Sequence, residues 1–177
     1  MNKKYRPCAG IVIFNKDGLL FLGNRIGLKN SWQFPQGGIE KNETIYEAAK
    51  RELFEETGIK SVIHIHSEEK PIRYEFSEDI KSNFRKKGIF NDGQDIYFSL
   101  FYFNGNDKEI NLKSFEQEFD SYKWDTFEFA VNNIIDFKKD VYVKIADKFT
   151  PIIEQYKELD KSAKKSWDKR VEIRAKS

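Results

Sequence analysis

Between Thr44 and Gly58 the chain spells a helix whose core-facing side carries carboxylates, and few folds can accommodate that. Thr44 and Glu47 form a capping-box pair and Gly58 supplies a stop, so a helix is predicted over 44–57. On a wheel of about 100° per residue, Ile45, Ala48, Ala49 and Leu53 mark the side that meets the core, with both alanines small enough for close approach. Glu52 and Glu56 fall near the centre of that side, and Glu55 flanks them. Like charges four apart cost roughly a few tenths of a kcal/mol in water and far more when desolvated. A cation must therefore sit against these acids. Arg51 can neutralise one of them, but not Glu43, Glu52, Glu55 and Glu56 together. Clustered carboxylate oxygens suit a hard divalent ion, Mg²⁺ first, with Mn²⁺ or another divalent metal as alternatives.

The rest of the chain reads as one mixed α/β domain over residues 1–158, followed by a basic tail over 159–177. With 177 residues and 39% hydrophobic content, a single core is affordable. Its 31 basic and 29 acidic residues nearly cancel, so net charge does not mark a nucleic-acid binder and local distribution must decide. Cys8 is the only cysteine, which excludes an internal disulfide or a cysteine-only zinc site and fits a reducing compartment. No apolar stretch reaches membrane-span length, so a cytoplasmic location without membrane association is expected.

Strands are predicted at 9–14 and 19–23, joined through Asp17-Gly18 as a hairpin, and again at 62–67, 72–76, 96–103 and 121–124. Residues 24–42, which contain Gly27, Asn30, Ser31, Pro35, Gly37 and Gly38, read as a loop without a long helix. Helical patterns follow near 127–132 and 141–158. The polar stretch 77–95, with Lys81, Arg85, Lys86 and Lys87, reads as a solvated loop, contact with a phosphate backbone being the alternative. After Leu159 come seven Lys or Arg against three acids, a solvated basic tail that starts as helix. His64 and His66 alternate with isoleucines and are expected on one face of a strand, in structural roles, while Cys8 reads as inert core.

Gly37, Glu43, Arg51-Glu52-Leu53, Glu55-Glu56, Gly58 and Ile59 match at every position the signature of the Nudix hydrolase family. That resemblance implies an α/β/α sandwich with a mixed sheet and a loop–helix–loop metal site, hydrolysing nucleoside diphosphates linked to another group. It also implies that Glu52, Glu55 and Glu56 bind the metal with help from the Gly37 carbonyl. Glu52 is its candidate general base, and Arg51 pairs with Glu43 to hold the helix carboxylates, so Arg51, Glu52 and Glu56 form the catalytic set. Phosphoanhydrides resist attack because anionic oxygens repel a nucleophile, which is why such chemistry needs so many metal-binding acids.

Outside the signature the chain resembles the bacterial RNA pyrophosphohydrolase branch, related to plant-type diadenosine tetraphosphate hydrolases. The likeness rests on Tyr5-Arg6-Pro7, Ser31-Trp32-Gln33-Phe34-Pro35-Gln36-Gly37-Gly38, Arg73-Tyr74, Gly93-Gln94, Glu118-Phe119-Asp120 with Trp124, and Phe137-Lys138 with Asp140-Val141-Tyr142. It implies a 5′-phosphorylated RNA substrate, with small nucleotides as the alternative, and a 5′-monophosphate RNA product. Glu118 would add a metal ligand; an ordinary loop acid is the alternative. Arg6 and Arg25 would meet phosphates or a base, which forked guanidinium donors suit. Phe137 would stack on a nucleobase and Lys138 would contact its edge, unless Phe137 is a core aromatic. Trp32 and Tyr74 fit packing and contact roles equally. A dinucleoside polyphosphate hydrolase and a silent RNA-binding module are the competing functions, the complete acid set arguing against the second.

Overall fold

The computed structural model describes residues 2–113, 115–159 and 161–175, the last five by backbone only. In chain order its elements are β1 (Tyr5–Phe14), β2 (Leu20–Arg25), β3 (Trp32–Gln33), β4 (Gln36–Gly38), α1 (Ile45–Thr57), β5 (Val62–Ser67), β6 (Ile72–Glu75), α2 (Glu78–Lys86), β7 (Gly93–Phe103), β8 (Phe119–Asp125), α3 (Phe127–Asn133), α4 (Lys139–Glu158) and α5 (Lys161–Ala175). From Cys8 to Phe14 every residue of β1 is buried, as a strand covered on both faces requires. It runs parallel to β7, with Tyr5 opposite Gly93 and Phe14 opposite Tyr102. Around this pair the strands follow the order β3-β2-β1-β7-β5, while β4 joins β1, β6 joins β7 and β8 joins β2. All pairings but β1–β7 are antiparallel, so the sheet is mixed.

Helices cover both faces. Ala48, Ala49 and Leu53 of α1 pack on Ala9, Ile11, Ile13, Phe21 and Phe101. Tyr142, Ile145, Phe149 and Ile153 of α4 pack on the opposite face, against Phe14, Leu20 and Leu100. Burying a side chain as completely as Leu53 or Phe149 contributes roughly 1.5–3 kcal/mol. The expected α/β/α sandwich is therefore present.

Three local expectations are revised. Residues 24–42 lack a long helix but contribute the short strands β3 and β4. Within 77–95, where a loop was expected, Ser77 caps α2, and Ile80 and Phe84 turn to the core, Phe84 edge-on to Phe76 with centroids 5.1 Å apart. The histidines do not share a face. A β-bulge between His64 and His66 breaks the alternation, setting His64 against Tyr46 of α1 and His66 against Phe149 of α4. The basic segment beyond Leu159 continues as α5, with Trp167 packed edge-on to Tyr156.

Candidate active site

The site is built at the N-terminal half of β1, where β4 brings Gln36–Gly38 against Cys8–Gly10 and α1 lies across the pair. The position of α1 follows from its caps. Thr44 Oγ1 accepts from the Glu47 amide at 3.2 Å, Glu47 accepts from the Thr44 amide at 2.8 Å, and Gly58, at φ 73°, returns its N–H to Phe54 at 2.8 Å. These caps set the helical phase that points Glu52 and Glu56 at β4. Glycine keeps the space there clear: a Cβ on Gly37 would displace the Glu52 carboxylate, and one on Gly38 would displace the Arg6 guanidinium.

Arg51 gathers the acids. Its Nε and Nη2 donate to the two oxygens of Glu43 at 2.8 Å each, and Nη1 donates to Glu52 at 2.7 Å and Glu55 at 3.2 Å. A further Nη2 bond reaches the Gly38 carbonyl at 2.9 Å, tying the helix to β4. The fork thus does the pairing expected with Glu43 and holds two helix carboxylates besides. Its hydrogen bond lowers the Glu43 pKa, and the acids raise that of Arg51. Burial pushes the Glu52 carboxyl upward against the pull of Arg51.

Glu56 is 7% exposed and accepts one bond, from the Gln36 amide at 3.2 Å. Burial first, then the negative charges of Glu52 and Glu118, push its pKa well above the usual carboxylate range. A carboxylate placed this way is short of positive charge. As they stand, no three potential ligands converge on one point among the described residues, because Glu52 and Glu55 are turned to Arg51 and Glu56 to β4. The donor set nevertheless fits a hard divalent ion: oxygen ligands only, one buried acid lacking a counter-ion, and a glycine that leaves room for a carboxylate beside its backbone.

A cleft of about 420 Å³ opens here, lined by Arg6, Arg25, Gln36, Glu52, Glu56 and Glu118 among others. It adjoins a second hollow lined by Glu52, Glu55, Glu56, Phe115, Glu116 and Glu118. Acids therefore form one wall and two arginines stand within the same space. Phe137 and Lys138 do not line the cleft. Phe137 is half-buried and stacked on Tyr74 with centroids 5.6 Å apart. Lys138, 4% exposed, donates to Gln36 at 3.0 Å and meets the cleft only through it, and burial lowers its pKa to about 8. Tyr74 is buried and donates to Gln94 at 2.6 Å, and Trp32 packs edge-on against Phe129. Cys8 is 1% exposed, and burial pushes its thiol up to about 11, so it stays protonated.

Sequence reasoning gave no role to Gln36, Gln94 or Glu116. Gln36 donates to Gln94 at 3.0 Å, accepts from Lys138 and braces Glu56 through its amide, which makes it the hub of the cleft floor. Gln36 and Gln94 lie inside the motifs that carry the family likeness, but Glu116 carries no signal beyond standing two residues before Glu118.

Comparison with known proteins agrees with this geometry. The NUDIX domain model matches residues 4–145. An RNA pyrophosphohydrolase of Wolbachia pipientis is 37% identical over 152 residues, covering 85% of this chain and 93% of the relative. One from Azorhizobium caulinodans is 37% identical over 156 residues, covering 82% and 92%. Among solved structures, an Ap4A hydrolase from C. elegans in a binary complex superposes with a TM-score of 0.60 at 21% identity, covering 82% of this chain and 98% of that one. A MutT protein from Methanosarcina mazei gives 0.58 at 17%, covering 84% and 97%. Those two likenesses speak for the fold alone. With its signature complete and its domain matched over most of its length, the chain belongs to the Nudix hydrolase family.

Proposed function

We propose that the chain is an RNA pyrophosphohydrolase, which hydrolyses a phosphoanhydride bond at the 5′-triphosphate or diphosphate end of RNA and leaves a 5′-monophosphate. The carrying observation is the 37% identity to a relative of that name across 93% of the relative's length. The cleft is consistent with it, since acids and arginines share one space as an anionic substrate bridged by a cation needs.

Members of this family generally use divalent metal; here Glu52, Glu55, Glu56 and Glu118, with the Gly37 carbonyl, would hold it, and the proposed ion is Mg²⁺, with Mn²⁺ the alternative. When bound, such an ion neutralises phosphate charge and lowers the pKa of water. The protein's own side chains do the rest. Arg6 and Arg25 bind phosphate oxygens through forked donors. Glu52 takes the proton of the attacking water, while Arg51 and Glu43 keep the α1 carboxylates in position. Phe137 offers a stacking face for a nucleobase beside Tyr74, and Lys138 acts through Gln36. Among the described residues no helix is long and apolar enough to cross a membrane, and the cytoplasm is the proposed location.

The test is a comparison of kcat/KM with Mg²⁺ on 5′-triphosphorylated RNA, 5′-diphosphorylated RNA and diadenosine tetraphosphate. The RNAs are expected to be preferred. Preference for the dinucleotide would overturn the substrate assignment while leaving the metal chemistry standing.

A further inference from the structure

The cleft does not end where the signature acids end. Arg6 and Cys8 line it from β1, with Gln94 paired opposite Arg6 on β7. The ladder runs on past the first residue of β1: the Asp92 amide donates to the Lys4 carbonyl at 2.7 Å, and the Lys4 amide donates to the Asp92 carboxylate at 2.8 Å. Side chains alternate along a strand, so Lys4 stands on the same side as Arg6, about 7 Å farther out. There a hollow of about 580 Å³ is lined by Asn2, Lys3, Lys4, Arg85, Phe90 and Asp92.

Two features of this hollow require an explanation. Phe90 is 65% exposed, and Ile89 beside it is 41% exposed. The segment carrying them is anchored rather than loose, because the Ile89 amide donates to the Phe84 carbonyl at 2.9 Å and the Phe76 amide to the Asp92 carbonyl at 2.9 Å. An aromatic ring is thus presented to solvent on a fixed support. The charge around it is positive. Lys3 is held by Glu75 and Lys81 by Glu78, but Arg85 reaches Asp92 only at 3.8 Å. Lys4, Lys86 and Lys87 are exposed, and none of their side chains has an acidic partner among the described residues.

An exposed aromatic beside an excess of positive charge, Lys3, Lys4 and Arg85 against Asp92, is the chemistry of single-stranded nucleic acid binding, where a base stacks and phosphates meet Lys or Arg. We propose that this hollow is the track for the substrate's downstream nucleotides: the RNA leaves the cleft past Arg6, its phosphates meet Lys4 and Arg85, and a base stacks on Phe90. This rests on the RNA reading above and adds to it a length-dependent contact. It also gives α2 a role, since that helix builds the support for Arg85 and Phe90.

The test uses the full chain with Mg²⁺ and two unstructured 5′-triphosphorylated RNAs, a dinucleotide and a dodecanucleotide. Wild type is expected to turn over the longer RNA with the higher kcat/KM. Phe90→Ala is expected to lower kcat/KM on the dodecanucleotide by roughly five- to tenfold, as loss of one stacked base does, with the dinucleotide unaffected. In a fluorescence anisotropy titration of a 5′-monophosphorylated dodecanucleotide, the Lys4→Gln/Arg85→Gln protein should show a salt dependence of log Kd shallower by about 1.4, for two lost contacts to a single strand. A long-to-short ratio and a salt slope identical in wild type and variants would overturn the track, and would leave the patch to some other partner. Hydrolysis of diadenosine tetraphosphate with neither RNA cleaved would instead overturn the RNA reading itself, and the track with it.

Discussion

Replacing Arg51 with glutamine tests whether the guanidinium is what holds the site's acids together. All five of its N–H groups are engaged, two on Glu43, one each on Glu52 and Glu55, and one on the Gly38 carbonyl. Removing one partner of a fully buried ion pair costs about 3–5 kcal/mol, whereas an exposed pair is worth about 0–1 kcal/mol. Arg51 is 25% exposed and Glu43 and Glu52 13% each, which places Arg51→Gln between those limits. The expected loss is about 2–3 kcal/mol. For a chain of this size that lowers Tm by roughly 4–12 °C. Calorimetry in chelator measures it on the metal-free protein. The same variant should bind Mg²⁺ or Mn²⁺ about 10–100-fold more weakly, because acids released from the fork repel one another and leave their positions. An unchanged Tm together with unchanged metal affinity would refute the reasoning and reduce Arg51 to an ordinary surface charge.

Three further outcomes follow from the same geometry. Glu52→Gln should keep a wild-type circular dichroism spectrum and lose roughly 10²–10⁴-fold in kcat; full activity would remove Glu52 from the mechanism. Glu56→Gln should raise the Tm of the metal-free protein at pH 7 while weakening metal binding. Because the folded protein holds the Glu56 proton more tightly than the unfolded chain, the gain should vanish below about pH 4.3 and grow as pH rises toward the elevated folded pKa; a gain independent of pH would argue against a buried, charge-starved acid. Lys138 titrates in the opposite sense, since burial lowers it to about 8 and the folded state binds that proton less tightly than the unfolded chain. Lys138→Met should therefore be more stable than wild type below pH 8, by up to about 3 kcal/mol less the lost Gln36 bond, with the margin closing between pH 8 and 10.5. A flat margin would show that the buried amine carries no charge penalty.

What was legible in the sequence was local. The capping pair, the glycine stop and the helical period fix α1 from fourteen or so neighbouring residues, and with them the direction of Glu52 and Glu56. What escaped was set by partners far along the chain. The short helix α2 offers only Ile80 and Phe84 to the core, too few to show a period until the cluster they join, built from residues of β1, β7 and α4 among others, supplies the surface they cover. Strand alternation placed His64 and His66 together, but the bulge that separates them depends on pairing with Phe101 and Leu100.

By itself, then, the sequence determined a helix with inward acids, a mixed α/β order and an oxygen-rich site that demands a cation, because each of these follows from residues within a turn or two of one another. Only the tertiary structure decided that Arg6 stands opposite Gln94, that Gln36 links Lys138 to Glu56, and that Phe137 lies on Tyr74. Those contacts arise from the parallel pairing of β1 with β7 and the docking of α4. Sheet register and packing join residues separated by about half the chain, and no pattern along the chain encodes that closure.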